Sequence, residues 1–379
     1  MPHRHSLFIR RSHLWILALA ALPLMAATRY APMMPLAAQS LLLDIAAAGT
    51  RAVAVGERGH ILFSDDRGSS WQQARVPTIQ MLTGVHFIDS RRGWAVGHDG
   101  IILATDDGGE NWRVQRDGLA AQQQANIENR EQARREIQRI EEALLTAEEA
   151  QLEALELQLE DARMDLEDAD RALEEPVFTS PRMDVWFQDG ERGWAVGAFG
   201  TLLGTRNGGQ NWISLADRID NPDEFHLNAI TGDGRGRVFI AGEGGVMFRS
   251  LDGGDTWETL EPFYEGSWFG IIYSSYHDAL LVCGLRGNLF RSDDFGASWE
   301  AARNDGEITL AGGSASPSGS IAVVGAVGTL LQSADGGRSF ERTMLPDRLS
   351  LTSALHSDGS LILIGQGGAK TRENPDHHD

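Results

Sequence analysis

The sequence predicts an all-β fold: a seven-bladed β-propeller of four-stranded blades, with an N-terminal strand closing the last blade and one inserted α-helical coiled-coil hairpin. Three observations carry the prediction. A twenty-residue unit recurs along the chain. Gly93–Trp112 reads GWAVGHDGIILATDDGGENW, two short apolar runs around a Gly turn, then a polar turn ending on an aromatic. That is the pattern of a β-hairpin. Copies run over Ala52–Trp71, Gly193–Trp212, Val238–Trp257, Leu280–Trp299 and Ile321–Phe340. The period is the second observation. The first turn glycine falls at Gly56, Gly97, Gly197, Gly242, Gly284, Gly325 and Gly365, in steps of 41, 100, 45, 42, 41 and 40. A period near 40 in a strand-rich chain is that of a propeller blade. The third observation is the one long step. Its excess lacks Gly and Pro from Leu119 to Glu175 and is rich in Ala, Glu, Gln, Leu and Arg, a helix-forming composition.

Taken in order, residues 1–27 read as a signal peptide. Arg4, Arg10 and Arg11 precede an apolar run, Leu14–Ala27, too short for a comfortable membrane span. The protein is therefore expected to be exported and periplasmic, with an uncleaved tether to the inner membrane as the alternative. Residues 28–118 hold the closing strand and blades one and two. Trp71 precedes Val85 of the next inner strand by fourteen residues, and Tyr30 precedes Asp44 by the same fourteen. The last repeat, with strands around Thr352–Leu355, Leu361–Ile364 and Ala369–Arg372, has no closing aromatic. A strand at Tyr30–Pro35 is thus expected to complete the last blade and remove its free edge. Residues 119–175 carry two apolar seams, Ala133/Ile137/Ile140/Leu144 and Leu152/Leu155/Leu159/Ala162/Leu166/Ala169/Leu173. The seams are out of phase, and both ends must return to one ring. The expectation is an antiparallel hairpin turning near Thr146–Gln151, each arm roughly 40 Å long. The arms differ in charge: net −1 over Ala120–Thr146 and net −10 over Ala147–Glu175. Residues 176–372 supply blades three to seven, and 373–379 a polar tail.

A formal net charge of −21 makes nucleic acid and anionic lipid poor partners. The single Cys283 lies in the apolar run LLVCG and reads as a buried small hydrophobe. No Cys/His metal spacing exists, and no metal, cofactor or small-molecule ligand is expected.

The polar turn follows S/T-x-D/N-x-G-x-x-W/F in six copies. Its signature residues are Asp66/Gly68/Trp71, Asp107/Gly109/Trp112, Asn207/Gly209/Trp212, Asp252/Gly254/Trp257, Asp294/Gly296/Trp299 and Asp335/Gly337/Phe340. The Asp or Asn caps backbone N–H groups, the Gly takes a positive φ, and the aromatic packs into the blade. The carboxylates are spent on backbone, so the turns specify fold rather than chemistry. This pattern is the Asp-box, or bacterial neuraminidase repeat. The fuller unit, with GWAVG and its closing Trp, resembles the photosystem II stability/assembly factor family of plants and cyanobacteria, over Leu41–Gly118 and Val177–Lys370. The resemblance implies a seven-bladed, non-enzymatic propeller that helps assemble a membrane complex. Bacteria without photosystems carry relatives, so the complex itself does not follow. The acidic charge departs from the Arg-rich patches of that family, and the helical hairpin looks foreign to its photosynthetic members.

Two other classes share part of the pattern. A sialidase shares the Asp-box but needs an Arg triad and a Tyr nucleophile with a carboxylate partner; Tyr273 is the available Tyr on an inner strand. A ligand-binding or adhesion propeller is the third class. In a four-strand meander the second-to-third-strand turns share a face with the connections between blades. The hairpin should rise from that face, beside Arg58, His98, Asp99, Phe199 and Arg286. Inner-strand entries add Arg182, His226 and Trp268, with Arg348 nearby. With Glu153, Glu156 and Glu160 of the acidic arm, these are the candidate partner-binding residues. The expected function is a non-catalytic scaffold or assembly factor for an envelope membrane-protein complex, a transporter being one candidate client.

Overall fold

The structure, a computed structural model, describes residues 29–373, so the expected signal peptide and residues 374–379 lie outside the described residues. Seven antiparallel sheets follow one another along the chain, six of four strands and the last of three. Their inner strands are Leu42–Ala48, Leu82–Phe87, Arg182–Phe187, Leu227–Gly232, Trp268–Ser274, Leu310–Ala315 and Leu351–Ser357. Each packs on the next, and Leu351–Ser357 packs back on Leu42–Ala48. The sheets therefore stand as seven blades around one axis.

The repeat glycine has a physical cause. Every inner strand carries a bulge just after its first residue, and that residue pairs with the repeat glycine of the second strand, as Leu82 with Gly97 and Leu310 with Gly325. The bulge drives the two backbones together. A Cβ on Gly56, Gly97, Gly242 or Gly284 would sit 2.1 Å from a main-chain oxygen, so no side chain fits. The second strands are buried along their whole length, as GWAVG and ALLVCG show, because they lie between two neighbouring blades. That explains continuous apolar runs where a half-exposed strand would alternate.

Closure differs from the sequence expectation. Tyr30–Pro35 adds no strand to the last blade. It runs along the outer edge of blade one, where Ala31 N–H donates to Val76 O at 2.9 Å and Gln73 Nε2 to Pro32 O at 2.9 Å. Arg75 stacks over the Tyr30 ring at 4.7 Å. Blade one's outer strand is only Gln72–Gln73, which leaves room beside it, and Pro32 and Pro35 cannot donate to a ladder. The ring is closed instead by side chains. Leu42, Ile45, Ala54 and Leu62 of blade one share a core with Ile362 and Ile364 of blade seven. Thr352 Oγ1 donates to Leu42 O at 2.8 Å.

The insertion is two helices, α1 (Gly118–Leu144) and α2 (Glu149–Glu174). They run antiparallel: Asn126 Nδ2 reaches Ala172 O at 3.0 Å near the root, and Arg163 meets Glu141 at 3.5 Å near the tip. Ala133, Ile140, Ala162 and Ala169 are the buried seam residues. The turn needs no glycine because Leu145 keeps right-handed helical dihedrals (φ −64, ψ −22). The first helix is capped by Asp117, whose side chain accepts from Ala120 N–H at 3.1 Å.

Candidate partner-binding face

Six second-to-third-strand turns share one geometry, a single tight turn closed by a backbone bond from its fourth residue to its first, as Thr201 N–H to Ala198 O at 3.2 Å. A left-handed residue stands second. It is Arg58 (φ 56), Asp99 (φ 55), Phe199 (φ 54), Gly244 (φ 63), Arg286 (φ 56) or Val327 (φ 57). A non-glycine residue there carries a steric cost of roughly 1–2 kcal/mol. The turn pushes this side chain off the ring: Phe199 is 52% exposed, and Arg58 and Arg286 are exposed.

The hairpin rises from this face. Gly118, the first residue of α1, lies against the blade-two turn, where a Cβ would sit 2.3 Å from Asp99 O. Asp99 is tied down in turn by Gln80 Nε2. On the return side, Phe178 meets Phe199 edge-on at 6.3 Å, and Phe199 meets His226 edge-on at 5.0 Å. Phe178 is 67% exposed. An aromatic step thus leads from the root of α2 onto the face, and sequence reasoning named Phe199 and His226 but missed Phe178. His226 also lies 3.4 Å from Glu243.

Two expected collar residues are not surface groups. Arg182 is 4% exposed. Its Nη1 donates to Ser180 O at 2.7 Å, and its Nη2 lies beside Gly100 under the hairpin root. Burial, with Arg116 nearby, draws its guanidinium down to about 10. Arg182 is a buttress for the root. Trp268 is fully buried, packed by Tyr264 and Phe263. Large aromatic area at a strand entry is absorbed by the blade core. His98, Arg286 and Arg348 remain accessible, and Glu153, Glu156 and Glu160 lie exposed along α2.

In the box turns the carboxylates bind backbone and hydroxyls. Ser70 Oγ and Ser70 N–H both donate to the Asp66 carboxylate, at 2.6 and 2.8 Å, holding it at about 2. Thr256 does the same for Asp252. Trp71 and Trp112 close their turns by donating to Gly68 O and Gly109 O at 3.2 and 3.0 Å.

The box glycines Gly109, Gly209, Gly254, Gly296 and Gly337 are buried against the preceding blade. Gly209, Gly296 and Gly337 do take a positive φ, of 86, 90 and 88°. Their N–H groups donate to Thr205, Ser292 and Ser333 hydroxyls at 2.9, 2.7 and 2.8 Å. A Cβ on Gly209 would sit 2.0 Å from Gln115 Oε1, one on Gly296 2.5 Å from the Phe239 ring, and one on Gly337 2.6 Å from Leu281 Cδ2. All three neighbours belong to the blade before. The glycine therefore answers two demands, a left-handed backbone and a blade-to-blade contact that leaves no room for a side chain.

Sequence reasoning missed the acidic pair in the axial channel. The inner-strand bulges aim Asp44 and Asp184 into a cavity of about 140 Å³ that Asn228 and Ser353 also line. Asp44 Oδ2 accepts from Val85 N–H and Asp184 Oδ2 from Ile230 N–H, both at 2.9 Å. Between the two acidic strands blade two offers only Gly84, whose Cβ would meet Asp184 Oδ1 at 3.1 Å. Burial pushes both carboxyls up, and the Asp44 charge pushes Asp184 further.

Tyr273, the residue a sialidase reading would need as nucleophile, donates to Asp278 at 2.8 Å and accepts from Arg235 at 3.0 Å. Burial and the bond to Asp278 raise its hydroxyl, opposite to what an activated phenol requires.

The profile of the family described as Photosynthesis system II assembly factor YCF48 matches residues 63–133 and 171–321. The chain is 27% identical over 191 residues to the Photosystem II assembly lipoprotein Ycf48 of Synechococcus sp. (strain CC9902), covering 49% of this chain and 56% of that one. It is 28% identical over 214 residues to the Photosystem II assembly protein Ycf48 of Thermosynechococcus vestitus, covering 55% of this chain and 60% of that one. The chain thus spans little more than half the length of these curated relatives. Among solved structures, "YCF48 bound to D1 peptide" superposes with a TM-score of 0.59 at 15% identity, over 89% of this chain and 94% of that one. YCF48 from Cyanidioschyzon merolae gives 0.58 at 15%, over 92% and 99%. The WD40 propeller domain of Doa1 gives 0.57 at 13%, over 91% and 95%. At these identities the likeness is one of fold.

Proposed function

The chain belongs to the family described as Photosynthesis system II assembly factor YCF48, and on that premise we propose that it is a non-catalytic, exported scaffold for assembling an envelope membrane-protein complex. A transporter is one candidate client. The protein works from the periplasmic side, and a relative named as a lipoprotein supports export. The observation that carries the reading is the hairpin, rooted on the face that also bears Arg58, His98, Phe199, His226, Arg286 and Arg348. Its acidic helix presents Glu153, Glu156 and Glu160 to solvent. An exposed row of like charge gains little from the parent fold and suits long-range attraction to a basic partner. The Phe178–Phe199–His226 step at the root offers the short-range apolar contact that charge alone does not supply.

The test is a membrane pull-down with the intact protein, with residues 119–175 replaced by a short Gly/Ser linker, and with Glu153, Glu156 and Glu160 changed to Arg. The expected result is a membrane protein captured by the intact chain and lost with the linker. Capture by the charge-reversed chain should be weakened, with reduced sensitivity to salt. Equal capture by the linker variant would reduce the hairpin to a spacer. Absence of any enriched membrane protein with the intact chain would sink the scaffold reading.

A further inference from the structure

Each box turn but one is tied to the blade before it in the same way. A side chain from the preceding blade donates to the carbonyl of the box's fourth residue. Arg51 Nη1 reaches Gly108 O at 3.2 Å, Gln115 Nε2 reaches Gly208 O at 2.8 Å, and Arg249 Nη1 reaches Phe295 O at 3.4 Å. Arg291 Nη1 reaches Gly336 O, and Thr371 Oγ1 reaches Arg67 O at 3.3 Å across the closing seam. The matching carbonyl of blade four, Gly253 O, receives no side chain among the described residues.

In blades four and five the donor stands at one register position of the third strand. Arg249 stands across from Phe239, and Arg291 across from Leu281. The equivalent residue of blade three, across from Trp194, is Gly204. Where blades four and five insert a guanidinium from the third strand, blade three has no side chain at that position. A slot of about 270 Å³ is left between blades three and four, with Trp194, Gly204 and Gly253 on its walls and Arg192, Arg206 and Arg218 around it.

Two of the donors it presents make no side-chain hydrogen bond among the described residues. Trp194 is 3% exposed and stands on the slot wall, and its Nε1 takes part in none of the hydrogen bonds among the described residues. That nitrogen lies on the Gly254 side, 2.6 Å from where a Cβ would be. Arg192 leans on Gly253, with Nη1 2.7 Å from a Cβ there, and its guanidinium makes no ion pair or hydrogen bond among the described residues. Arg206 pairs with Asp255, and Arg218 donates to Asp255 O at 3.5 Å. Three guanidinium groups face one carboxylate, in a chain of net charge −21. This excess of positive charge favours an anion as the occupant.

We propose that the slot between blades three and four binds a carboxylate, with Arg192 and Trp194 Nε1 as its donors. The carboxylate comes either from a small dicarboxylic acid or from an acidic residue of a bound peptide. Charge-assisted bonds to a half-buried guanidinium are the strong kind, and the indole N–H adds direction. This site is independent of the hairpin, and its failure leaves the scaffold reading standing.

The test follows the Trp194 indole N–H resonance by NMR, assigned with Trp194→Phe, while the full chain is titrated with succinate and, separately, with an end-capped peptide carrying one Glu. A saturable downfield shift with at least one probe is expected. A response to succinate points to a free acid, and a response to the peptide alone points to a partner-borne carboxylate. Arg192→Gln should weaken binding at least about ten-fold. Gly204→Arg, which copies Arg249 and Arg291, should plug the slot and abolish the shift; a Cβ there is crowded only by the tip of Leu215. No shift with either probe overturns the proposal. So does a shift that survives Arg192→Gln, whose half-buried position makes it readable even if Gly204→Arg fails to fold.

Discussion

Asp44 and Asp184 show how residues of one type can be set to opposite ends of the titration scale. The box aspartates are solvated and hold several donors each, so Asp66 and Asp252 stay near 2. The axial pair is enclosed, faces its own kind, and rises from 3.8 to about 6 for Asp44 and about 7 for Asp184. Raised carboxyls favour the folded state while protonated. Their contribution is fully present below the unfolded value near 3.8 and is lost as pH climbs through about 6 to 7. Buried His86 and His356, each drawn down to about 4 by desolvation, act in the other sense: their contribution is present above 6.5 and lost as pH falls toward 4. Asp184→Asn should therefore raise stability at pH 8 more than at pH 5, read from denaturant midpoints at the two pH values. An equal effect at both would show that Asp184 does not titrate between those pH values. None of this is legible in the sequence, because Asp44 and Asp184 break the repeat at positions where other blades have Gly84, Gly270 or Gly312. Their meeting depends on bulges that periodicity does not reveal.

Among the elements, the glycine at the end of each second strand reads as a turn residue in the sequence, yet its cause is crowding. Gly97 has extended dihedrals (φ −175, ψ −155), so alanine there meets no backbone penalty. Its Cβ would nonetheless sit 2.1 Å from Met81 O. Gly97→Ala is expected to lower stability by about 1–3 kcal/mol through overpacking, seen as a fall of several degrees in Tm. An unchanged Tm would mean that the bulge relaxes freely. Gly209, Gly296 and Gly337 teach the same lesson from the other side: their positive φ is readable from the box spacing, while the neighbouring blade pressed against them is not. The hairpin is the most legible element. Helices fill Gly118–Leu144 and Glu149–Glu174, because a Gly/Pro-free, seam-bearing run leaves few alternatives. The collar is poorly legible. Arg182 and Trp268 have the residue types of a binding rim, and only three-dimensional packing shows one bracing the hairpin root and the other filling a blade.

For the molecule as a whole, blade number and order follow from the period alone, while closure is misjudged because a spacing match at Tyr30 passes for strand pairing. The difference can be measured. Deleting residues 29–36 should remove only the edge contacts on blade one and shift Tm modestly. Deleting 360–373, two of the three strands of blade seven, should abolish cooperative unfolding. A collapse caused by the first deletion would restore the closing-strand topology. The seam has a further bearing on how the protein comes to exist. Leu42 accepts its bond from Thr352, and the two are joined by nearly the whole sequence. With no early strand woven into the last blade, the growing polypeptide has no template for its final piece, and blade one waits with its flank bare until residues 351–364 have been delivered. Contacts this distant in sequence form slowly. The chain therefore stays an open arc until its last blade has folded, which makes the interval before closure the time when it is most exposed to proteases and to mispairing.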